Sequence, residues 1–321
     1  MVRLLAIAVM MVVSGVADAQ TNVEQWPTRP IELIVPFPAG SGTDVAARIL
    51  SQKLGERLKQ SIVINNRPGA SGTLGSEMVA KAAPDGYTFG IATASTHAVA
   101  PNMEPKPRYD AVRDFSPVAM LGASPYVLVV YPGLKIADVP ALIALAKQKP
   151  GALNYGSAGS GSLAHLATAL FAQMAGIELT HIPYKASASS LSDLISGRLD
   201  MQLSTIAPML SNIESGNLKA VAVSGKQRVS ALPHVPTFIE AGVAGYEAAL
   251  WMMIVGPAGL PPSIIARVNK EVNDMLRSDV GAALVDQGMQ LEVGTPSDAS
   301  ARIRDDLVKW KAAVAATAHS R

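Results

Sequence analysis

The stretch that most constrains the fold of this chain runs from Ile31 to Arg48. Ile31 to Phe37 is almost continuously apolar, which predicts a buried strand of a parallel sheet. Pro38 to Gly42 interrupt that run with two glycines, and a helical pattern begins at Thr43. The first N–H groups of a helix have no partner inside it and favour negative charge. This strand, turn and helix start therefore predict an anion site. Within the helix, three apolar residues are spaced to share one face: Val45, Ile49 and Leu54.

The residues of this turn can be compared with three known motifs. A phosphate-binding P-loop has Lys and then Ser or Thr after its second glycine, whereas Gly42 is followed by Thr43-Asp44. A dinucleotide fingerprint that begins at Gly40 has Val45 in place of its third glycine. Ser41-x-x-Asp44 fits a capping box, whose side chains serve only to start the helix. An anion site and an ordinary structural turn therefore both remain open.

The segment from Met1 to Gln20 predicts an export signal that is not part of the fold. Arg3 supplies a positive charge, Leu4 to Val13 form an apolar segment, and Ala17-Asp-Ala19 is a small-residue cleavage site. The apolar segment is too short to span a bilayer as a helix. A membrane anchor or a buried N-terminal helix is the alternative. We predict a signal peptide over residues 1–19, cleavage after Ala19, and a periplasmic location.

Composition excludes several classes of chemistry. The chain has 321 residues, enough for two domains with separate cores. It has no cysteine, which excludes disulfides, thiol nucleophiles and cysteine metal sites. The formal charge is +2 and we find no run of basic residues, so nucleic acid is not an expected partner. No metal and no cofactor are predicted, because five histidines without a ligand spacing are expected in polar surface or capping roles: His97, His165, His181, His234 and His319.

The rest of the chain alternates predicted strands and helices, which is typical of α/β layers. A second glycine-rich turn lies at Arg67–Thr73, and the strand Tyr87–Thr93 is closed by Ala94-Ser95-Thr96-His97. The other predicted strands are Ser61–Asn65, Val118–Leu121, Tyr126–Tyr131, Leu153–Tyr155, Leu179–Tyr184, Met201–Thr205, Leu218–Ser224 and one near Leu291. Three of the other predicted helices have both ends defined, at Val139–Lys147, Leu163–Ala175 and Ser189–Ser196. Two are defined by where they end, at Ala83 and near Ser215, and two by where they start, near Pro262 and at Asp298.

Two apolar segments are expected to cross between two α/β lobes. One runs on either side of Gly122–Pro125, and the other is Ala248–Val255. Residues 20–122 and 250–321 would then form a discontinuous first lobe, and residues 123–249 a second. Two lobes joined by two crossing strands make a hinge with a cleft, and bending is expected near Gly122–Pro125 and Gly245–Ala249.

A second strand–turn–helix, Asn154 to His165, should face the first across that cleft. Two helix N-termini could then hold one carboxylate or one each. The rival interpretation is a nucleotide site, since Gly159-x-Gly161-x-x-Ala164 satisfies the dinucleotide fingerprint with Glu178 about 20 residues further on. However, Glu178 precedes the next strand, whereas the ribose-binding acid should follow it. No serine in this turn has the flanking glycines of a nucleophile elbow.

Seven motifs in order along the chain are Pro36-Phe-Pro-Ala-Gly-Ser-Gly-Thr-Asp44 with Ala47-Arg48, Asn66-Arg-Pro-Gly-Ala70, Tyr155-Gly-Ser157, Ile182-Pro-Tyr-Lys185, Ala222-Val223, Leu232-Pro233 with Val235-Pro-Thr237, and Gly256-Pro-Ala-Gly259. At these residues the chain resembles the Bug family, the extracytoplasmic receptors of tripartite tricarboxylate transporters. The resemblance covers essentially the whole mature chain. The chain departs from the family at Ser41 and Ala186, where glycine is common, and at Arg198-Leu199 before Asp200.

The resemblance implies a periplasmic-binding-protein (Venus flytrap) fold, a monomer, and a carboxylate held between Phe37–Asp44 and Gly156–His165. The ligand-binding residues it implies, together with Ser95, are Phe37, Ala39, Gly40, Ser41, Gly42, Thr43, Asp44, Ser157, Gly159, Ser160, Gly161, Ser162 and His165.

The favoured function is a solute-binding protein, not an enzyme, that delivers a small carboxylate to an integral-membrane permease. The alternative is an exported α/β enzyme or dinucleotide-binding protein that uses the Gly159-x-Gly161 turn. A solute sensor that signals to a membrane kinase is a third possibility. At Asp44 we favour a capping role over ligand contact.

Overall fold

The structure is a computed structural model that describes residues 26–184 and 190–318, and all of their side chains except those of 312, 313 and 315–318. The predicted signal peptide, Lys185, Ala186 and His319 lie outside these residues. Within the described part of the chain, no helix combines the length and apolar character needed to cross a membrane.

Helices and strands alternate along the chain as the sequence predicts. The helices are α1 Gly42–Leu58, α2 Thr73–Ala80, α3 Val139–Gln148, α4 Leu163–Ala175, α5 Leu191–Ile195, α6 Leu210–Glu214, α7 Pro262–Leu276, α8 Asp279–Asp286 and α9 Pro296–Ala318. The strands are β1 Ile31–Val35, β2 Ile62–Asn66, β3 Thr88–Thr93, β4 Phe115–Val130, β5 Asn154–Ser157, β6 Thr180–Pro183, β7 Met201–Thr205, β8 Lys219–Val223, β9 Ala249–Pro257 and β10 Gln290–Leu291.

The strands form one curled sheet with two halves, in the order β2-β1-β3-β9-β4-β7-β5-β6. In the first half β1 pairs in parallel with β2 and β3, and β9 runs antiparallel to β3 and β4. In the second half β5 pairs in parallel with β6 and β7, while β4 pairs antiparallel with β7 and β8. The carboxyl ends of the parallel strands β1 and β5 lead into the two turns singled out above.

The first crossing is a single strand and not two separate segments. β4 runs for 16 residues and belongs to both halves of the sheet, with register shifts against β9 between Pro117 and Ala119 and between Met120 and Gly122. The predicted gap between two strands at Gly122–Pro125 is therefore wrong, whereas the bending expected there stays a prediction. Gly122 has φ +136°, and a methyl group built there would overlap the backbone of Gln290 in β10. The close approach of β10 thus requires glycine at this position.

Ser224 joins the two crossings beside the cleft. Its hydroxyl accepts from the N–H of Tyr126, at 2.7 Å, and donates to the carbonyl of Ala248. The backbone N–H of Ser224 donates to Tyr126, and the N–H of Ala248 donates to Ser224. The side chain is fully buried. One residue therefore holds the second half of β4 beside the segment that leads into β9.

Helix α1 buries a different face from the one predicted. Leu50, Leu54 and Leu58 are buried with Ala46 and Ala47, whereas Val45 and Ile49 are only partly buried. The helix packs on the apolar cluster formed with β1, β3, α7 and α8. The difference arises because the stripe begins one residue later than expected, at Ala46. Gly42 at the start of the helix lies against Thr205 of β7, in the second half of the sheet.

Candidate functional site

The two predicted turns face each other across a cavity of about 50 Å³. The start of α1 contributes one wall and the start of α4 the other, with β4, β7 and β9 behind them. The lining residues are Phe37, Ser41, Gly42, Thr43, Ser95, Tyr126, Ala158, Ser162, Ala164, Thr205, Pro208 and Leu250. None of them carries a charge.

The first turn is held by Ser41 and Asp44. Ser41 is the N-cap of α1, and its hydroxyl accepts from the N–H of Asp44 at 3.2 Å. The Asp44 carboxylate accepts from the N–H of Gly40 at 2.9 Å, from Arg48 at 2.8 Å and from the Asn66 amide at 2.9 Å. The predicted capping box is therefore present, although Asp44 reaches the N–H of the residue before the cap. Burial raises the pKa of Asp44, but the hydrogen bonds from Arg48, Asn66 and Gly40 outweigh it and hold that pKa below its usual value.

The second turn uses an imidazole where the first uses a carboxylate. Ser162 is the N-cap of α4 and accepts from the N–H of His165 at 3.3 Å. The Nδ1 atom of His165 accepts from the N–H of Gly161 at 3.2 Å. The ring stacks on His181 with 4.1 Å between centroids, and the Nε2 atom of His181 lies 2.6 Å from the Ser157 hydroxyl. The turn is thus shaped by an uncharged acceptor backed by a second imidazole.

Three backbone N–H groups on the cavity wall have no protein acceptor within residues 26–184 and 190–318. They belong to Gly42 and Thr43 at the start of α1 and to Ala164 at the start of α4. The first N–H groups of a helix cannot bond within the helix, and the macrodipole adds positive potential there. Two helix starts on opposite walls therefore offer unused donors to an anion without any cationic side chain.

The two walls also contact each other directly, so the cleft is closed. The N–H of Leu163, the first residue of α4, donates to the Ser95 hydroxyl at 3.3 Å. The Ser71 hydroxyl donates to the carbonyl of Ser160 at 3.3 Å. A methyl group built on Gly42 would overlap the hydroxyl of Thr205. The cavity is small because the lobes meet around it.

The structure brings together six of the predicted ligand-binding residues at the cavity. These are Phe37, Ser41, Gly42, Thr43, Ser95 and Ser162. The other eight lie in the same two turns or at the end of β5 but do not line the cavity: Ala39, Gly40, Asp44, Ser157, Gly159, Ser160, Gly161 and His165. Asp44 and His165 act on the turns from behind, since both accept hydrogen bonds from the glycine that precedes a cap.

Sequence reasoning missed the floor of the cavity. Tyr126 on β4, Thr205 at the end of β7 and Leu250 on β9 come from three strands that are far apart in sequence. Ala158, Ala164 and Pro208 complete the missed set. Thr205 could have been found, because ligands of α/β sheets bind outside the carboxyl ends of strands and Thr205 ends a predicted strand. Tyr126 and Leu250 carry no local signal of this kind.

His97 differs from the surface or capping role expected of the histidines. His97 is fully buried between Tyr109 and Phe115, and burial lowers its pKa to about 3, so it is a neutral core side chain. His234 is exposed, as expected. Within the described part of the chain, no three His, Asp or Glu side chains lie where they could hold a metal ion.

The nucleotide interpretation of the second turn finds no support in the position of Glu178. This residue is exposed in the connection between α4 and β6, at the amino end of β6. A ribose-binding acid belongs at the opposite, carboxyl end of that strand. The glycines Gly159 and Gly161 adopt φ values of +106° and +78°, which serve the turn itself.

Comparison with known families identifies this architecture. The model of the tripartite tricarboxylate transporter family receptor, TctC, matches residues 46–318. The protein BugT of Bordetella pertussis is 38% identical over 319 residues, which cover 99% of this chain and 98% of that protein.

Solved structures agree with the predicted fold. A structure described as R. palustris Rpa4515 with adipate is 38% identical, with a TM-score of 0.87, and the match covers 90% of this chain and 97% of that one. The periplasmic binding protein BugD is 28% identical, with a TM-score of 0.84 over 89% and 96% of the two chains. The prediction of a periplasmic-binding-protein fold with two α/β lobes is confirmed.

Proposed function

Because this chain belongs to the tripartite tricarboxylate transporter receptor family, we propose that it captures a small carboxylate between its lobes and presents it to a membrane permease of that transporter type. The proposal includes export to the periplasm by the signal peptide over residues 1–19 and a monomeric receptor without catalytic activity. The division into lobes, 20–122 with 250–321 and 123–249, belongs to the same proposal.

One observation gives the main support for a carboxylate ligand. The N–H groups of Gly42, Thr43 and Ala164 have no acceptor in the described chain, and none of the described residues that line the cavity carries a charge. A hydrogen bond to a charged group contributes about 1.5–3 kcal/mol. Three such bonds together supply the roughly 8 kcal/mol that micromolar binding requires only if closing the lobes and ordering the ligand cost little free energy. A cationic amine would meet only donors at the two helix starts.

The closed cleft supports a ligand that is enclosed by both lobes. The Ser95 hydroxyl of the first lobe already accepts a hydrogen bond from the N–H of Leu163 in the second. A carboxylate oxygen can take the place of this hydroxyl at the start of α4. The Rpa4515 relative, which holds adipate, shows that a similar chain accommodates a dicarboxylate.

A thermal-shift and calorimetric screen tests the proposal. Acetate, succinate, glutarate and adipate are compared with glucose and putrescine at matched ionic strength. A carboxylate at about a hundredfold excess over Kd should stabilise the protein by about 2.7 kcal/mol, and small-angle scattering should not show expansion on binding. Stabilisation by glucose or putrescine alone would refute the ligand class. Turnover of a bound carboxylate would instead favour the exported-enzyme alternative.

A further inference from the structure

The back of the cavity carries three buried side-chain hydroxyls without a protein partner. Within residues 26–184 and 190–318 no hydrogen bond is formed by the hydroxyls of Thr43, Tyr126 or Thr205. Their exposed fractions are 2%, 4% and 8%. These hydroxyls remain accessible from the cavity, and polar groups that line a pocket without a protein partner are available to a ligand. A ligand in the cavity would supply the missing partner.

Tyr126 and Thr205 form one unit of this wall. They are direct cross-strand partners in the antiparallel pairing of β4 with β7, so their side chains stand on the same face of the sheet. Thr205 also touches the start of α1, because a methyl group on Gly42 would overlap its hydroxyl. The pair therefore lies beside the unused N–H groups of Gly42 and Thr43.

Ser204 shows that the orientation of these hydroxyls is specific. It precedes Thr205 on β7 and points to the opposite face of the sheet. The Ser204 hydroxyl also has no hydrogen-bond partner, but it is inaccessible to solvent. The hydroxyls of Tyr126 and Thr205 are not sealed from solvent in this way. The unpaired hydroxyls of Tyr126 and Thr205 are thus accessible from the cavity that both residues line.

The chemistry of a hydroxyl differs from that of the helix starts. A backbone N–H only donates, and it suits a carboxylate, which only accepts. A hydroxyl both donates and accepts, so it can pair with a ligand hydroxyl in either role, which a backbone N–H cannot do. Burial raises the pKa of Tyr126, which keeps its hydroxyl protonated. The wall is therefore uncharged, and its apolar neighbours Phe37 and Leu250 suit a carbon chain.

We propose that Thr43, Tyr126 and Thr205 form a second, uncharged subsite that recognises a hydroxyl substituent on the ligand, so that hydroxylated carboxylates bind more tightly than their unsubstituted analogues. This rests on the proposed function, because it assumes that the helix starts bind the carboxylate. Tyr126 and Thr205 then determine which carboxylate is preferred.

The test uses malate and succinate, which differ by one hydroxyl. Each enantiomer of malate and succinate are titrated by calorimetry into the wild type and four variants. Tyr126→Phe and Thr205→Val remove one hydroxyl with little change of shape. Thr205→Ser retains it, and Ser204→Ala removes the sealed hydroxyl on the opposite face. Thermal melting of each variant checks that it is folded.

The wild type should bind one enantiomer of malate at least about tenfold more tightly than succinate. Tyr126→Phe and Thr205→Val should each reduce this ratio by about fivefold or more, with succinate affinity changing less than about threefold. Thr205→Ser and Ser204→Ala should retain the wild-type ratio. Equal binding of malate and succinate by the wild type would overturn the proposal, as would an equal loss of both ligands in the two variants. If none of acetate, succinate, glutarate, adipate and malate binds, the carboxylate function fails as well.

Discussion

The two turns that face the cavity share a backbone design but differ in the side chain that supports it. Gly40-Ser41 and Gly161-Ser162 have almost the same conformation, with φ +79° and +78° at the glycines and φ −69° and −67° at the caps. In both, the third helical residue accepts from the glycine N–H, but it is Asp44 in one and His165 in the other.

The difference is one of charge balance around the proposed anion site. Asp44 carries a negative charge, which Arg48 neutralises at 2.8 Å from the next helical turn. The corresponding position in α4, four residues after His165, is Ala169, so the next turn of α4 supplies no cation at this place. A neutral imidazole shapes the second turn without opposing the ligand. The comparison teaches that the same turn can be built with either side chain, provided no net negative charge remains beside the ligand.

The largest effect on ligand affinity is expected at Gly42, the first residue of α1. Gly42→Ala should weaken succinate binding by about a hundredfold, roughly 2.7 kcal/mol, because the added methyl group meets Thr205 and holds the lobes apart. Leu163, which starts α4, meets the opposite lobe through its backbone N–H, which donates to the Ser95 hydroxyl. The melting temperature without ligand should not fall, because alanine is a better helix residue than glycine.

The control is the double variant Gly42→Ala/Thr205→Ala, which removes the obstructing side chain. Its succinate affinity should return to that of Thr205→Ala alone. Failure of this rescue, with Gly42→Ala still weak, would place the effect in α1 itself and not in contact between the lobes.

Asp44→Asn should lower stability by about 1–2 kcal/mol and leave carboxylate affinity within about twofold. The amide retains one acceptor oxygen, but its NH₂ group faces the donors of Gly40, Arg48 or Asn66. Chemical denaturation and calorimetry measure the two quantities on one variant. A tenfold loss of affinity with unaltered melting would show that Asp44 contacts the ligand, contrary to its position behind the cavity.

His165→Asp should weaken carboxylate binding by about tenfold at low ionic strength, because it adds a negative charge near the start of α4 without an arginine to balance it. His165→Asn is the matched control, since its amide oxygen accepts from the Gly161 N–H without charge. The loss in His165→Asp should diminish as salt is added. Equal losses in both variants would mean that the imidazole itself is required.

The smallest effect is the pH dependence of the first turn. The pKa of Asp44 is lower in the folded protein than in the unfolded chain, so its contribution to stability is complete above the unfolded pKa. It is lost as the pH falls through the folded pKa. The difference in unfolding free energy between wild type and Asp44→Asn should therefore be constant from about pH 5 to pH 8 and should shrink below about pH 4. A difference that instead changes between neutral pH and pH 5 would contradict this.

Both turns could be predicted from sequence because their signals are local. Apolar strands, glycines at positive φ and the spacing from Ser41 to Asp44 all lie within a few residues of one another. The capping box was predicted on this basis and is present, with the shift to Gly40.

The floor of the cavity and the continuity of β4 could not be predicted in the same way. Tyr126, Thr205 and Leu250 meet only through strand pairings between distant segments. From the sequence, Gly122 predicts the end of a strand. In the structure it lies inside β4, where the close approach of β10 requires glycine. His97 was expected to be polar surface, but aromatic neighbours from later in the chain bury it.

The shared strand has a consequence for how the molecule folds and unfolds. Since β4 contributes backbone hydrogen bonds to both halves of the sheet, neither half can lose its order without exposing an edge of the other. The lobes are therefore coupled in unfolding, and a small molecule that stabilises the cleft protects the entire domain pair against proteolysis. The pairing of β4 with β9 is also expected to slow folding, because it closes a loop of more than a hundred residues, which costs chain entropy.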